Sequence, residues 1–245
     1  MRKLLNDPFE VVAEMVDGLE AAYGSQIEVT PSRRGIVSRA RAETRHIGIV
    51  TGGGSGHEPA FFGYVGPGFA DGAALGNVFA SPSATPIVEV AELVDRGEGV
   101  LFLYGNYGGD VMNFTMAAAL LIESGIRVMQ HPVADDLASA PAARADERRG
   151  VAGGALVLKA AGARADEGAS LDDVHAAAAH ANARTRTIGV GLGPCIVPAA
   201  GRATFDLPEG SMDVGMGVHG EAGMLRRLVD APGRALLMPP LDEPW

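Results

Sequence analysis

His46-Ile47-Gly48-Ile49-Val50-Thr51 runs without a break into Gly52-Gly53-Gly54-Ser55-Gly56-His57-Glu58-Pro59. The first six residues read as a buried strand: short, apolar and β-branched. The glycines that follow admit positive φ angles and let backbone N–H groups approach a ligand closely. The same segment also reads as a plain tight turn from strand to helix. It lacks the Lys-Ser/Thr ending of a P-loop and the G-x-G-x-x-G spacing of a dinucleotide fingerprint. His57, at the strand exit, is a candidate general acid or base; as a loop residue it can equally bond to backbone.

The pattern repeats downstream. A strand over 73–78 leads to Phe79-Ala80-Ser81-Pro82 and a helix over 86–96. A strand over 99–104 leads to Gly105-Asn106-Tyr107-Gly108-Gly109-Asp110 and a helix over 111–124, which Gly125 ends. A strand over 126–133 follows. Strand, Gly-rich loop and helix in repetition predict an α/β domain with a mainly parallel sheet flanked by helices. In such sheets ligands sit beyond the carboxyl ends of the strands. Topology therefore predicts that His57, Ser81, Asp110 and Asp135-Asp136 converge there.

Upstream, Asp7-Pro8 suits a helix start, with Phe9, Val12, Met15, Val16 and Leu19 on one face and Gly24 as the stop. Residues 27–30 read as a short strand, 134–144 as an exposed loop, and 146–163 and 171–183 as helices. Ser170 with Asp173 is a capping arrangement for the latter. A boundary is placed near 184. Residues 1–184 form an N-terminal α/β domain, and 185–245 a second, truncated α/β domain with strands over 185–191 and 212–219. The tail, 232–245, holds four of the 15 prolines and reads as irregular.

Composition narrows the function. Forty-seven per cent apolar and 20% charged residues describe a globular chain rather than a disordered one. Twenty Lys and Arg against 30 Asp and Glu give a net charge of −10, which speaks against nucleic-acid binding. The single cysteine, Cys195, excludes an intramolecular disulfide framework, fits a reducing cytoplasm, and reads as a buried small residue. The start reads as no signal peptide and no run is long enough to span a membrane. His175 and His180, five apart in an Ala-rich helix, do not share a face and read as solvent-facing, so no metal site is expected. Asp110 reads as a helix cap or as a carboxylate base. His219, inside Gly215-Met216-Gly217-Val218-His219-Gly220-Glu221, reads as a turn histidine or as a nucleophile. Asp135-Asp136 reads as a turn or cap pair.

Taken together the segments resemble the dihydroxyacetone kinase family, in its ketose-binding subunit or domain. Leu4-Leu5-Asn6-Asp7-Pro8, the Gly52–Pro59 run, Phe79-Ala80-Ser81-Pro82 and Asn106-Tyr107-Gly108-Gly109-Asp110 with Asn113-Phe114 carry the resemblance. So do Arg148-Arg149-Gly150-Val151-Ala152, Pro198-Ala199-Ala200-Gly201 and Gly217-Val218-His219-Gly220-Glu221. Several motifs in one order are more specific than any one of them, and they favour the functional readings of His57, Asp110 and His219.

The resemblance implies that His219 adds to the keto carbon of a small ketose as a hemiaminal. It implies that Asp110 takes the proton of the hydroxyl to be phosphorylated and that His57 bonds the substrate oxygens. Gly54 and Ser81 match substrate-contacting positions. No cofactor is expected on this chain; Mg-ATP or ADP would sit on a partner, a helical nucleotide-binding kinase subunit. The family half is typically a homodimer. Gly105 stands where many dihydroxyacetone-specific members carry Lys, and 102–107 with 135–141 looks more like members acting on tetruloses such as erythrulose. Ala222 replaces a usual Pro. Only about 60 residues follow the boundary, so the second domain is expected to be reduced, packed on the first or completed by another chain. A non-catalytic paralogue that senses a ketose and contacts a regulator is the alternative expectation.

Overall fold

The computed structural model describes residues 4–40, 42–222 and 227–230, the last four as backbone only. The proline-bearing tail lies outside the described residues. Six strands form one sheet: β1 (Ile27–Val29), β2 (Gly35–Ser38), β3 (Gly48–Ser55), β4 (Gly72–Val78), β5 (Val100–Gly105) and β6 (Val128–Val133), in the order β1-β2-β4-β3-β5-β6. β4, β3, β5 and β6 are parallel, while β2 runs antiparallel to both β1 and β4. The mainly parallel α/β sheet read from the sequence is the architecture found.

Alternation along β5 explains the two-sided core. Phe102 and Tyr104 face one way, against Ile87 of α2 (Ala84–Val94) and Phe114 and Leu121 of α3 (Gly108–Glu123). Leu101 and Leu103 face the other way, against Val157 and Leu158 of α4 (Gly154–Asp166) and Val174 of α5 (Leu171–Asn182). α1 (Val11–Tyr23) covers Ile36, Ala73 and Leu75 through Val16 and Leu19. Beneath α4, the buried Arg45 guanidinium joins Asp71 at 2.9 Å to Asp166 at 2.7 Å. At α5 the Ser170 cap is present, its hydroxyl accepting the Asp173 N–H at 3.3 Å.

Several local expectations change. α1 starts at Val11, four residues after Asp7; the Asp7 carboxylate instead accepts the Phe9 N–H at 2.8 Å and closes a turn, leaving Phe9 in solvent. β2 carries no pattern that announces it, because Gly35-Ile36-Val37-Ser38 is too short to show a period. The glycines after Thr51 belong to β3 rather than to a turn. The strand continues to Ser55, and residues 56–61 make the loop. The 134–144 segment is exposed only over 141–144; Asp135, Asp136, Ala138 and Ala140 in its first part are buried. α4 starts at Gly154, later than expected, because the Asp135 carboxylate holds the Val151 and Gly153 N–H groups, each at 2.9 Å, in a non-helical approach. Cys195 is exposed rather than buried. His175 is half-buried against the His131 ring, with centroids 5.6 Å apart, while His180 is exposed.

Beyond residue 184 the described residues hold no helix. They form a small antiparallel sheet of β7 (Val190–Gly191), β8 (Ser211–Val214) and β9 (Arg227–Asp230). A bridge between Asp136 and Thr187 ties its entry to the main sheet's carboxyl end.

Candidate functional site

The carboxyl ends of β3, β5 and β6 surround a cavity of about 250 Å3. Its wall includes Gly54, His57, Tyr107, Asp110 and His219, and its floor includes Leu103, Val133 and Leu158. Close backbone packing shapes the β3 end. A Cβ on Gly54 would lie 2.6 Å from the Ala80 amide nitrogen, so only glycine lets the 79–80 backbone cross there. Phe79, in that crossing, holds a left-handed φ of 58°, a strained conformation for an aromatic residue. Its ring stacks on His57 with centroids 4.6 Å apart and 12° between planes.

His57 and His219 meet through their Nε2 atoms at 3.0 Å. On its other side, His219 Nδ1 lies 2.8 Å from Glu221 Oε1, and Glu221 Oε2 accepts the His219 backbone N–H at 2.9 Å. An ionised carboxylate only accepts, so Nδ1 carries the proton and Nε2 of the neutral ring holds the free pair. His57 must then donate its Nε2–H to His219. Burial first, and the neighbouring His219 second, push His57 down to about 4, so it stays neutral above that pH. For Glu221, burial opposes the charge. The bonds from His219 and from backbone N–H groups outweigh it and hold the carboxyl at about 2.

Asp110 sits in the first turn of α3. The cap position belongs to Tyr107, so Asp110 is not the cap. Its side chain is buried and Oδ1 has no hydrogen-bond partner. Burial pushes the carboxyl up to about 6, against the smaller opposing pulls of Ser81 and His219. Ser81 stands beside Asp110 outside the cavity wall; its hydroxyl accepts from Asn113 Nδ2 at 3.2 Å. A buried carboxylate with one oxygen unpartnered, poised near neutral pH and facing a cavity, suits a base awaiting a proton donor.

Three residues that support the site were not singled out individually from the sequence. Tyr107 packs its ring edge-on to His219 at 5.1 Å. Arg149 pairs with buried Asp136 at 2.8 Å and reaches the carbonyl oxygens of Glu221 at 3.2 Å and Gly215 at 3.4 Å, docking the His219 loop. Glu221 orients the histidine. Their signal was membership of the quoted motifs, which spacing alone does not turn into a contact. Asp135 and Asp136 serve the scaffold, as amide acceptor and arginine partner. Among the described residues no group of three or more His, Cys, Asp or Glu side chains is arranged to hold a metal ion. Among them no helix is long and apolar enough to cross a membrane.

Known proteins share this arrangement of chain. The dihydroxyacetone-binding subunit DhaK of PTS-dependent dihydroxyacetone kinase 2 from Listeria innocua is 47% identical over 231 residues, 94% of this chain and 69% of that protein. The L-erythrulose kinase of Pectobacterium atrosepticum is 46% identical over 224 residues, 91% of this chain but 38% of that protein. The crystal structure of the dihydroxyacetone kinase of C. freundii superposes with a TM-score of 0.81 at 31% identity, covering 95% of this chain and 42% of that one. The chain thus spans well under half of those two kinases. The family model described as the Dak1 domain matches residues 17–235, which takes in the cavity, both histidines and Asp110, and the chain belongs to that family.

Proposed function

We propose that the chain is the ketose-binding component of a dihydroxyacetone-type kinase. His219 Nε2 attacks the keto carbon, a C–N bond forms, and the carbonyl π pair moves onto oxygen. His57 Nε2–H, released from His219 by the incoming substrate, donates to that oxygen. The ketose is then held as a hemiaminal. A small polyol offers little surface for binding, so a reversible covalent bond fixes its reacting hydroxyl. Asp110 takes the proton of the terminal hydroxyl as that oxygen attacks a phosphoryl group. The phosphoryl donor, Mg-ATP or a rephosphorylated ADP, sits on a separate helical subunit. Gly54 lines the substrate's path at the β3 end, and Ser81 steadies Asp110 from behind.

The observation that carries the reading is the chain Glu221–His219–His57 in a cavity that also holds a buried carboxylate with one oxygen unpartnered. Dihydroxyacetone and erythrulose are both candidate substrates: relatives named for each exist, and Gly105 contributes no side chain to the cavity wall. The reading assigns the chain to the cytoplasm, which its single cysteine suits.

A homodimer is part of the proposal, supported by one surface. α3 carries Met112, Met116 and Leu120 in solvent on one stripe, and its only acidic residues are Asp110 and Glu123. Beside it β6, an edge strand of Val-Met-Gln-His-Pro-Val, carries no charge. An uncharged edge next to an apolar helix face suits a second copy of the chain.

The test is NMR with each ketose labelled with 13C at the keto carbon. The carbonyl resonance is expected to move to a protein-bound tetrahedral carbon, and His219→Ala to abolish the change. An unchanged carbonyl for both sugars overturns the reading. Capture without phosphorylation in the presence of a nucleotide-loaded partner subunit assigns the chain to ketose sensing instead.

A further inference from the structure

We propose that Glu221 is the counter-ion of the captured ketose, so that the adduct on His219 is a cationic N-alkylimidazolium and capture takes up one proton from solvent. This rests on the covalent reading above.

The atoms balance as follows. Before attack the ring holds a proton on Nδ1 and a free pair on Nε2. The Nε2 pair forms the C–N bond, and the carbonyl π pair becomes an alkoxide. The alkoxide takes the His57 Nε2 proton, which solvent restores to His57, so the net proton comes from solvent. The ring keeps Nδ1–H and has lost its free pair, so it carries a full positive charge. A neutral adduct would require Nδ1–H to leave as well. What faces Nδ1 decides between the two.

Glu221 faces it, at 2.8 Å, and its second oxygen is fixed at 2.9 Å on the same residue's backbone N–H. This grip does not involve Nε2, so it persists when Nε2 is substituted. The other charged groups around the ring are accounted for. From the β3–β4 loop come neutral His57 and Glu58, whose Oε1 is held by the Gly56 N–H at 2.9 Å. From the start of α3 come the buried Tyr107 phenol, pushed upward chiefly by its burial, and Asp110. From the approach to α4 comes Arg149, whose charge is matched by Asp136. Glu221 is therefore the carboxylate in direct contact with the ring, and a charge-assisted bond at this distance favours the cationic form.

The consequence is proton linkage. From about pH 7 to about 8.5, ketose capture should weaken about tenfold per pH unit, because the bound state holds one more proton than the free state. Capture of dihydroxyacetone is measured across that range by 13C NMR. The proton count is measured by calorimetry in two buffers of different ionisation enthalpy. The expected result is uptake of one proton in the unaltered chain. In Glu221→Gln, an adduct that still forms should show little uptake and a flat pH profile. An adduct that forms in the unaltered chain with no proton uptake overturns the proposal and leaves Glu221 as a loop clamp. No adduct at any pH overturns the covalent reading instead. Should Glu221→Gln fail to fold, the unaltered chain's proton count decides alone.

Discussion

The Nε2 atoms of His57 and His219 stand 3.0 Å apart, although 162 residues separate them in the chain. One leaves the end of a central parallel strand; the other rides a loop docked by Arg149. Because Glu221 claims the Nδ1 proton of His219, the contact runs in one direction, from His57 Nε2–H to the free pair of His219. The substrate's keto group has to enter this contact, and in doing so it meets a nucleophile on one side and a hydrogen-bond donor on the other.

Removing the donor should therefore slow capture without abolishing it. His57→Ala is expected to reduce the rate of hemiaminal formation about 10²-fold, the low end for a positioned acid–base group. The decay of the 13C carbonyl resonance after mixing measures this. His219→Ala should leave no slow phase at all.

Asp110 sets function against stability. Its folded-state value near 6 lies above the ordinary 3.8, so its stabilising contribution is complete below about pH 3.8 and is lost as pH rises through 6. About two pK units correspond to ~3 kcal/mol. Asp110→Asn should lack that loss and be more stable than the unaltered chain by up to that amount at pH 8, with little difference at pH 4. Urea unfolding at the two pH values checks the sign. The same variant should capture ketose and fail to phosphorylate it with a partner subunit present.

Arg149 holds two things at once, the Asp136 charge and the His219 loop. Asp136 is 0% exposed, so Arg149→Ala strands a buried carboxylate and should cost about 3–5 kcal/mol. Adding Asp136→Asn should recover part of the stability but not the capture rate, since the loop remains undocked. A double-mutant cycle read by urea unfolding and by 13C capture separates the two roles.

Gly54 tests the backbone crossing at the β3 end. In Gly54→Ala the new methyl meets the Ala80 amide nitrogen at 2.6 Å, and the 79–80 segment has to move. Overpacking of this kind costs about 1–3 kcal/mol. Phe79 moves with the segment and its stacking on His57 is lost, so capture should fall more than stability does. A thermal melt beside the capture rate shows it.

The α3 face bears on assembly. Met116→Glu with Leu120→Lys places opposite charges one turn apart on the exposed stripe and touches nothing in the cavity. Light scattering after size exclusion should give a dimer for the unaltered chain and a monomer for this variant, with hemiaminal formation retained.

Much of the frame is legible in the chain itself. The parallel strands announce themselves by apolar runs that end in glycine-rich loops, because strands buried on both faces need apolar residues throughout. The helix after Ser170 announces itself by its cap. What local pattern misread has a physical cause in each case. The glycine triplet looks like a turn, but its missing side chains make room for neighbours, the Phe61 ring over Gly53 and the Phe79-Ala80 backbone over Gly54. The 134–144 segment looks solvent-exposed by its polarity, but its carboxylates are consumed by buried N–H groups and by Arg149. Short β2 carries too few residues to show a period and is held by pairing on both sides.

The sequence by itself determined the α/β layering, the places where strands end, and the residue types able to attack, donate and accept. These follow from hydrophobic period and from side-chain chemistry, which are local properties. The tertiary structure alone decided that His57 points its proton at the free pair that Glu221, accepting from Nδ1, leaves on His219, and that Asp110 is buried with one oxygen unpartnered. Those are contacts between segments remote in sequence, and a tautomer or a shifted pKa exists only once such contacts and the burial around them are formed.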